Sequence, residues 1–347
     1  MHRVCIIGSG NWGTTIAKLI GENIKNEKMK SEFDQTIRFY VGKEMVNEKP
    51  LSDIINNSHE DVKYMQGVIL PDNVKAYNDI EKAAEGADYL VFVTRGESLP
   101  ELLEQIKSKI ANNASGISVM KGITLHEDSI ELIPEIVEKI LNIPCGGLSG
   151  ANMAKNIAFG QLTEATIAFK DPEIANKWLN IFNCSYFKCR IINDIYFQQL
   201  LGTLKNVIAL GADFVDGMGF GENTKAAVLR IGLKEMYKFA CWYYPDKNVN
   251  SLTLLESCGF ADLIATAYAD KNRKCAVEFI KAGKDWNIIE KEILHGKKLQ
   301  ATVETNEIYR LLEKHNCTNM FPLISKIYKI SHREIPVTAM FQLQKIF

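Results

Sequence analysis

The apolar residues in the first half of the chain form short runs that alternate with segments of helical periodicity. The runs at 4–7, 89–93 and 116–120 are rich in β-branched and aromatic residues and predict buried strands. The intervening segments, 80–85 and 99–110 among them, repeat apolar residues every three or four positions and predict helices. Continuous apolar strands that alternate with helices predict a parallel sheet covered on both faces.

The same pattern continues to about residue 193. A second strand is expected at 37–41, and two final strands at 166–169 and 186–189 with a helix at 172–182 between them. The stretch 22–35 is polar and charged without a period, so we expect a solvated loop there, longer than is usual between such elements.

Beyond residue 193 the periodicity is helical only. Within the stretch 200–236, apolar and small residues recur at the spacing of a helix buried along much of its surface, namely at Leu200, Leu204, Val207, Ile208, Gly211 and Val215. The sequence therefore predicts an α/β N-terminal domain, 1–193, followed by an all-α C-terminal domain, 194–347. Further helices are expected at 224–239, 252–255, 261–268, 274–282, 286–294, 304–314 and 323–330.

A glycine-rich turn, Gly8-Ser9-Gly10-Asn11-Trp12-Gly13, joins the first strand to the first helix. In this context the glycines allow a tight turn, a close approach of pyrophosphate and close helix packing, as in Rossmann-like, doubly wound, mostly parallel sheets. A purely structural glycine turn is the alternative. Strand two is followed by Gly42, Lys43 and Glu44, and Lys43 and Arg38 are compatible with a 2′-phosphate, so this strand end leaves the choice between NAD and NADP open.

Lys205 lies on the predicted central helix, and its neighbours one turn away, Leu201, Gly202, Ile208 and Ala209, are apolar or small. Such a lysine either extends its head into water or, when partly desolvated, exchanges a proton near neutral pH as a general acid must. The glycine-dense turn at 217–221 and the capping signal at 222–224 then open the next helix.

Composition excludes several classes of function. The chain has 347 residues, enough for two domains, and 41 Lys and Arg against 42 Asp and Glu, so there is no polybasic signature for nucleic acid or for an anionic membrane. The eight cysteines contain no CxxC pair and the six histidines no HExxH, which argues for a reducing compartment and no metal. Neither a signal peptide nor a transmembrane run is evident, and we expect a cytoplasmic protein.

The segment Gly202-Thr203-Leu204-Lys205-Asn206-Val207-Ile208-Ala209, followed by GENTKAAVLR, resembles the NAD-dependent glycerol-3-phosphate dehydrogenases of the eukaryotic cytosolic type. The resemblance extends over nearly the whole chain. It implies a hydride-transfer enzyme that uses NAD and interconverts dihydroxyacetone phosphate and sn-glycerol 3-phosphate. It also implies a homodimer, for which the apolar C-terminal residues 337–347 are a candidate interface.

The resemblance implies roles for particular residues. Lys205 would be the proton donor, assisted by Lys121 of a Lys-Gly signature at a strand end and by Asp262 of an ESCGxADL segment. Substrate would be held by Lys121 and by four further residues, Asn206, Thr266, Lys271 and Asn272. The plain alternatives are a solvated strand-end lysine for Lys121, an exposed first-turn acid for Asp262 and a solvated basic face at 271–274.

Position 271 is usually an arginine in the family. Lysine keeps the positive charge but lacks the two parallel N–H donors of a guanidinium. We therefore expect either weaker phosphate binding or compensation by Arg273.

The implied cofactor contacts are spread along the chain. They are Gly8, Ser9, Gly10, Asn11, Trp12, Gly13, Ser98, Asn152, Ala154, Lys271, Lys298 and Gln300. Asn152 and Ala154 belong to a glycine-rich turn expected at 146–154. The loop 94–98 departs from the family, because it lacks the usual proline and aromatic residue. The segment 296–304 matches a family loop that folds over the cofactor, and an ordinary surface loop is the alternative.

Two other functions remain open on the sequence. A related dehydrogenase acting on another hydroxy acid would not need the basic run at 271–274. A catalytically silent NAD-binding sensor would not need Lys121, Lys205 and Asp262 together.

Overall fold

The computed structural model describes residues 1–94, 96–126 and 128–341, except for the side chain of Phe341. The chain divides into two compact units. Unit 1 contains Met1–Gly122 and Leu132–Ile195, and unit 2 contains Ile123–Glu131 and the chain from Tyr196 onward.

Unit 1 is built on one eight-stranded sheet with the order β12-β11-β10-β7-β6-β1-β2-β5. All neighbouring strands in it are parallel except β10 and β11, which are antiparallel. The strands of the chain are β1 (His2–Ile7), β2 (Phe33–Tyr40), β3 (Met45–Val46), β4 (Lys49–Pro50), β5 (Val74–Tyr77), β6 (Tyr89–Phe92), β7 (Ser115–Ser118), β8 (Ile123–Leu125), β9 (Ile130–Leu132), β10 (Cys145–Ser149), β11 (Thr163–Ala168) and β12 (Phe187–Ile192).

Helices cover both faces of this sheet. Val4 and Ile6 of β1 belong to one apolar cluster, whereas Cys5 and Ile7 belong to another, because successive side chains of a strand point to opposite faces. The helices before residue 195 are α1 (Asn11–Ile24), α2 (Glu27–Lys30), α3 (Leu51–Ser58), α4 (Ile80–Ala84), α5 (Leu99–Ile106), α6 (Ile133–Leu141), α7 (Ala154–Ala158) and α8 (Pro172–Phe182). The predicted doubly wound, mostly parallel sheet is confirmed.

The prediction of a solvated loop at 22–35 is wrong. Helix α1 continues to Ile24, the short helix α2 follows, and β2 begins at Phe33, four residues before the predicted start at Ile37. Ile24, Met29 and Phe33 are buried in the sheet core. Three isolated apolar residues show no period in the sequence, and packing against the sheet decides their conformation.

The turn predicted at 146–154 is wrong in its first half, because Gly146 to Ser149 belong to strand β10. A Cβ atom on Gly146 would lie 2.1 Å from the Phe169 ring. The glycine here makes room for an aromatic ring against the sheet and does not mark a turn.

Unit 2 is helical beyond Tyr196. Its helices include α9 (Ile195–Met218), which begins one residue before the unit, α10 (Glu222–Tyr243), α11 (Asp262–Ala267), α12 (Asp270–Lys281), α13 (Trp286–Ile293), α14 (Gln300–Lys314) and α15 (Pro322–Ser331). Single turns lie at Ser251–Leu255, Ser257–Ala261, Thr318–Met320 and Val337–Phe341, and one lies in unit 1 at Gly96–Ser98. The predicted helical second half is confirmed, with helix starts shifted by up to five residues.

Three further properties concern the described part of the chain. It contains no helix long and apolar enough to cross a bilayer, and no cluster of three or more potential metal ligands. All eight cysteines are free. Of the proposed interface residues 337–347, Met340 is buried within the chain, and 342–347 lie outside the described residues.

Candidate active site

The glycine-rich loop of unit 1 has the geometry of a dinucleotide cradle. Gly8 and Gly10 have φ angles of 119° and 104°, which side-chain-bearing residues rarely adopt. A Cβ on Gly13 would lie 2.3 Å from the Gly8 carbonyl oxygen, so the helix can pack this closely only with glycine. Nothing lies within 4 Å of a Cβ built on Gly10, and α1 starts at Asn11 directly behind it. The loop leaves open space before the N-terminus of a 14-residue helix, where a pyrophosphate is favoured.

Glu44 lies beside this loop, four residues after Tyr40, the last residue of β2. Its carboxylate accepts hydrogen bonds from Ser9 Oγ (3.1 Å), Tyr64 Oη (2.9 Å) and Lys63 Nζ (2.7 Å). Burial alone would raise the pKa of Glu44, but these three donors outweigh it and lower the pKa. A carboxylate held ionised next to the loop disfavours a 2′-phosphate and therefore favours NAD.

Other predicted cofactor residues of unit 1 are fixed by hydrogen bonds. Trp12 Nε1 donates to the Val119 carbonyl (2.9 Å), and Ala154 accepts from Thr15 Oγ1 (3.2 Å). Asn152 Nδ2 donates to the Glu164 carbonyl (2.9 Å), while Asn152 Oδ1 is buried without a hydrogen-bond partner in the described structure. An oriented, orphaned acceptor fits a ligand that carries an N–H donor, such as the carboxamide of a nicotinamide.

Lys121 and Ser98 are also in unit 1. Lys121 is exposed and follows β7 at the carboxyl end of the sheet, where ligands of open α/β sheets bind. Ser98 precedes α5, and its hydroxyl lies 3.1 Å from Thr94 Oγ1.

In unit 2, Lys205 of α9 and Asp262 of α11 form an ion pair between residues 57 positions apart. The side chains of Lys205 and Asp262 are 16% and 8% exposed. A carboxylate in contact with a largely desolvated ammonium compensates its charge and fixes the direction of Nζ. The hypothesis that Lys205 extends into water is therefore wrong, and so is that of an exposed Asp262.

The turn that precedes α11 places Asp262. Residues Ser257–Ala261 form a single wide helical turn of the π type, a form that recurs at functional sites. A Cβ on Gly259 would lie 2.5 Å from the Leu254 carbonyl oxygen, so this close approach requires glycine. Thr266, one turn after Asp262, donates its hydroxyl to the Asp262 carbonyl (2.7 Å).

Asn206 and Gln300 meet on one carboxylate. Asn206 Nδ2 donates to Glu304 Oε2 (2.7 Å), and Gln300 Nε2 donates to Glu304 Oε1 (3.0 Å). Asn206 and Glu304 are 6% and 3% exposed. Because Asn206 follows Lys205 directly, this contact fixes the rotation of α9 at the lysine.

Lys298 is paired with a second buried acid. Its Nζ lies 2.8 Å from Glu290 Oε2, and the other oxygen of Glu290 accepts from the Leu299 amide (3.0 Å). The segment 296–299 is thus attached to α13 directly before α14 begins at Gln300.

The basic run lies in the first turns of α12. Lys271 is exposed and Asn272 is half-buried. Arg273 pairs through Nε with Asp216 (2.8 Å). Arg273 therefore already has a carboxylate partner, which does not favour its expected role as a substitute phosphate ligand.

Comparisons with known proteins find relatives of both halves of the chain. The profile described as NAD-dependent glycerol-3-phosphate dehydrogenase N-terminus matches residues 3–175, and the corresponding C-terminus profile matches residues 194–342. The chain belongs to the NAD-dependent glycerol-3-phosphate dehydrogenase family.

Individual relatives align over almost the full length. The chain is 41% identical over 335 residues to the cytoplasmic glycerol-3-phosphate dehydrogenase [NAD(+)] of Homo sapiens, covering 96% of this chain and 95% of the relative. It is 41% identical over 338 residues to the glycerol-3-phosphate dehydrogenase 1-like protein of Danio rerio, covering 97% and 95%. The solved glycerol-3-phosphate dehydrogenase of Plasmodium falciparum superposes with a TM-score of 0.92 at 38% identity, covering 98% of this chain and 94% of that one.

As a member of the NAD-dependent glycerol-3-phosphate dehydrogenase family, the chain is an oxidoreductase whose cofactor is NAD and whose substrate is a small molecule. The sequence did not reveal Glu290 and Glu304 as partners of Lys298 and Asn206. Glu290 lies eight residues before Lys298, and this proximity is a weak sequence signal for their pairing. Asn206 and Glu304 are 98 positions apart, and the sequence contains no signal for their contact.

Proposed function

We propose that this chain interconverts dihydroxyacetone phosphate plus NADH and sn-glycerol 3-phosphate plus NAD, with Lys205 as the proton donor in reduction and the acceptor in oxidation. The observation that supports this role is the desolvated Lys205–Asp262 ion pair on adjoining helices of unit 2. In this pair the Lys205 ammonium carries the proton to be transferred, and the Asp262 carboxylate orients it and balances its charge.

Reduction of the ketone turns its carbonyl oxygen into an alkoxide, which must receive a proton. Bound NADH supplies the hydride to the carbonyl carbon. Lys205 Nζ then gives its proton to the oxygen, and Asp262 holds the lysine in position and stabilises its charged form before transfer. Lys121 contacts the substrate and contributes a second positive charge that stabilises the developing alkoxide.

The phosphate group is assigned to the N-terminal turn of α12. Lys271 supplies a positive charge and Asn272 an amide donor, at a helix end whose free N–H groups favour an anion. Thr266 and Asn206 contact the remainder of the substrate.

We assign the NAD site to the glycine-rich loop and to the other residues that contact the cofactor according to the family resemblance. Gly8, Ser9, Gly10, Asn11, Trp12 and Gly13 would hold the pyrophosphate and the adjoining groups. Asn152 and Ala154 would face the nicotinamide, Asn152 through its orphaned Oδ1. Ser98, Lys271, Lys298 and Gln300 would complete the set.

The test is the decrease of NADH absorbance with dihydroxyacetone phosphate, beside unphosphorylated dihydroxyacetone, NADPH and the Lys205→Ala variant. General acid catalysis contributes roughly 100- to 10,000-fold, so Lys205→Ala should lose about that factor in turnover and retain NADH binding, measured by fluorescence titration. Lys284→Ala is the control, because Lys284 also forms ion pairs within unit 2, with Glu278 and Glu292.

Each contrary result has a defined meaning. Wild-type turnover in Lys205→Ala would refute the proton-transfer role. Equal turnover of the unphosphorylated ketone would indicate a dehydrogenase for another substrate. NADH binding with no turnover by the wild-type protein would indicate a sensor.

The division of labour between the domains is part of the proposal. Residues 1–193 would supply most of the dinucleotide site, and residues 194–347 would supply most of the substrate site and the proton donor. We also propose a cytoplasmic location, as in the name of the human relative, and a homodimer.

A further inference from the structure

A cluster of ionisable side chains in unit 2, most of them buried, takes no direct part in the proposed chemistry. It consists of Asp213 and Asp216 of α9, Lys225 of α10 and Arg273 of α12. Lys225 is 3% exposed, and a lysine is rarely buried to this extent unless it is paired. The cluster lies next to the segment 267–273, which runs from the last residue of α11 into the first turn of α12 and carries Lys271 and Asn272.

The cluster holds this segment at both ends. On the N-terminal side, Lys225 Nζ donates to the Ala267 carbonyl (2.7 Å) and lies 4.4 Å from the centre of the Tyr268 ring. On the C-terminal side, Arg273 Nε lies 2.8 Å from Asp216 Oδ2. The same Asp216 oxygen accepts from Lys225 Nζ at 2.7 Å, so one carboxylate connects the two ends.

Such an arrangement stabilises a conformation more than it stabilises the fold. Taking a lysine and an aspartate out of water costs several kcal/mol, and a well-packed apolar pair often serves stability as well. The ion pairs fix the orientation of this segment, because the carbonyl of Ala267 and the guanidinium of Arg273 must both point at the cluster. The two residues between Ala269 and Arg273 that the function needs, Lys271 and Asn272, are thereby held in a fixed turn.

We propose that Asp216, Lys225 and Arg273 are positioning residues that fix the segment 267–273 and so set the affinity of the enzyme for the phosphate group of its substrate. The inference rests on the proposed function, since it assumes that Lys271 and Asn272 contact that phosphate. It assigns to the cluster a role in substrate discrimination and no contact with the reacting atoms.

The decisive variant is Asp216→Asn, because two explanations predict opposite results for it. Electrostatics alone predicts tighter anion binding, since a negative charge near the basic run is removed. Positioning predicts weaker binding, since Lys225 and Arg273 lose their common partner. Misplacement of a binding group by about 1 Å can cost up to 100-fold in rate, and we expect kcat/KM for dihydroxyacetone phosphate to fall about 10-fold, mainly through KM.

The readout that separates positioning from general damage is the unphosphorylated ketone. For dihydroxyacetone, kcat/KM of Asp216→Asn should change less than about 2-fold, so the preference for the phosphorylated substrate falls by nearly the full factor. The matched control is Glu235→Gln, which alters a buried acid of α10 that accepts the Leu323 and Ile324 amides at the start of α15. It should lower the melting temperature and leave the preference unchanged.

A second pair of variants keeps the proposal falsifiable if Asp216→Asn does not fold. The Arg273 side chain is 52% exposed, so Arg273→Met should fold. We expect it to reduce the preference for phosphate and Arg273→Lys to restore most of it, because lysine keeps a charge for Asp216. An unchanged or increased preference in Asp216→Asn and Arg273→Met refutes the positioning role, whereas a wild-type enzyme that shows no preference for the phosphorylated ketone refutes the proposed function instead.

Discussion

Asp213 is an unusual carboxylate, because it is completely buried and neither of its oxygens has a hydrogen-bond partner in the described structure. Burial raises the pKa of Asp213 to about 8, against the attraction of Lys225, whose Nζ is 3.9 Å away. Asp216 adds to the increase and Arg273 opposes it. At neutral pH this side chain is therefore mostly protonated in the folded protein and ionised in the unfolded chain.

This difference makes the free energy of unfolding depend on pH. Since the folded state binds the extra proton, the contribution of Asp213 becomes less favourable as the pH rises from about 4 to about 8 and is constant above that range. We expect Asp213→Asn to be nearly neutral at pH 4 and to stabilise the protein by a few kcal/mol at pH 9. Urea unfolding of both proteins between pH 4 and 9 measures this, and parallel curves of unfolding free energy against pH would contradict it.

Individual site residues were predictable where their own neighbourhood in the sequence was unusual. Lys205 among apolar residues and Asp262 in an apolar segment are examples, and the structure joins them. Their partners were not predictable in the same way. Glu304, Glu290 and Asp216 are acids on amphipathic helices, where the sequence alone gives no reason to expect burial. The packing of distant helices pairs Glu304 with Asn206 and Asp216 with Arg273, whereas Lys298 reaches Glu290 across the end of α13.

At the scale of elements, the turn Ser257–Ala261 is the structure on which the proton donor depends. It begins α11 with Asp262, and it follows a short helical turn, Ser251–Leu255, that approaches it closely at Gly259. A wide turn of this kind lengthens the backbone by one residue relative to an α-helix, which rotates the residue that follows it. The direction of Asp262 is therefore a property of this turn as well as of its own side chain.

Gly259→Ala tests that dependence. The added Cβ would lie 2.5 Å from the Leu254 carbonyl oxygen, so the backbone must move. We expect a loss of about 1–3 kcal/mol in stability and, because Asp262 moves with the turn, a fall in kcat of roughly 10-fold. Thermal unfolding and NADH oxidation give the two numbers.

Gly221→Ala is the matched control for that variant. Nothing lies within 4 Å of a Cβ built at Gly221, and its φ angle is −82°. Both quantities should change little there. Wild-type kcat in Gly259→Ala, together with lower stability, would show that the turn does not direct Asp262.

Elements were predictable where several apolar residues shared one period, as in α8, whose bounds Pro172–Phe182 agree with the sequence. Elements with only a few apolar residues were missed, among them α2, the edge strand β5 and the hairpin β8–β9. Strand β5 has four residues, of which Val74 and Ala76 are buried. Its conformation comes from pairing with β2, which is a tertiary interaction that a local pattern cannot report.

For the whole molecule, the proposed homodimer is a prediction about mass. Sedimentation of the purified protein should give about twice the chain mass of 39.1 kDa at micromolar concentration. Because 337–347 is the candidate interface, a chain that ends at residue 336 should shift towards the monomer. A wild-type protein that sediments as a monomer at all accessible concentrations would exclude the dimer.

The division of the chain into units also determines how long one segment must wait, during translation, for the residues it packs against. The hairpin segment Ile123–Glu131 belongs to unit 2, where the Ile130 amide donates to Tyr243 Oη, 113 residues further along the chain. At translation rates of roughly 5–20 residues per second, this segment waits roughly 6 to 23 s for its partner to be made. Over that interval the nascent chain completes the strands of the eight-stranded sheet while carrying a hairpin whose own unit does not yet exist.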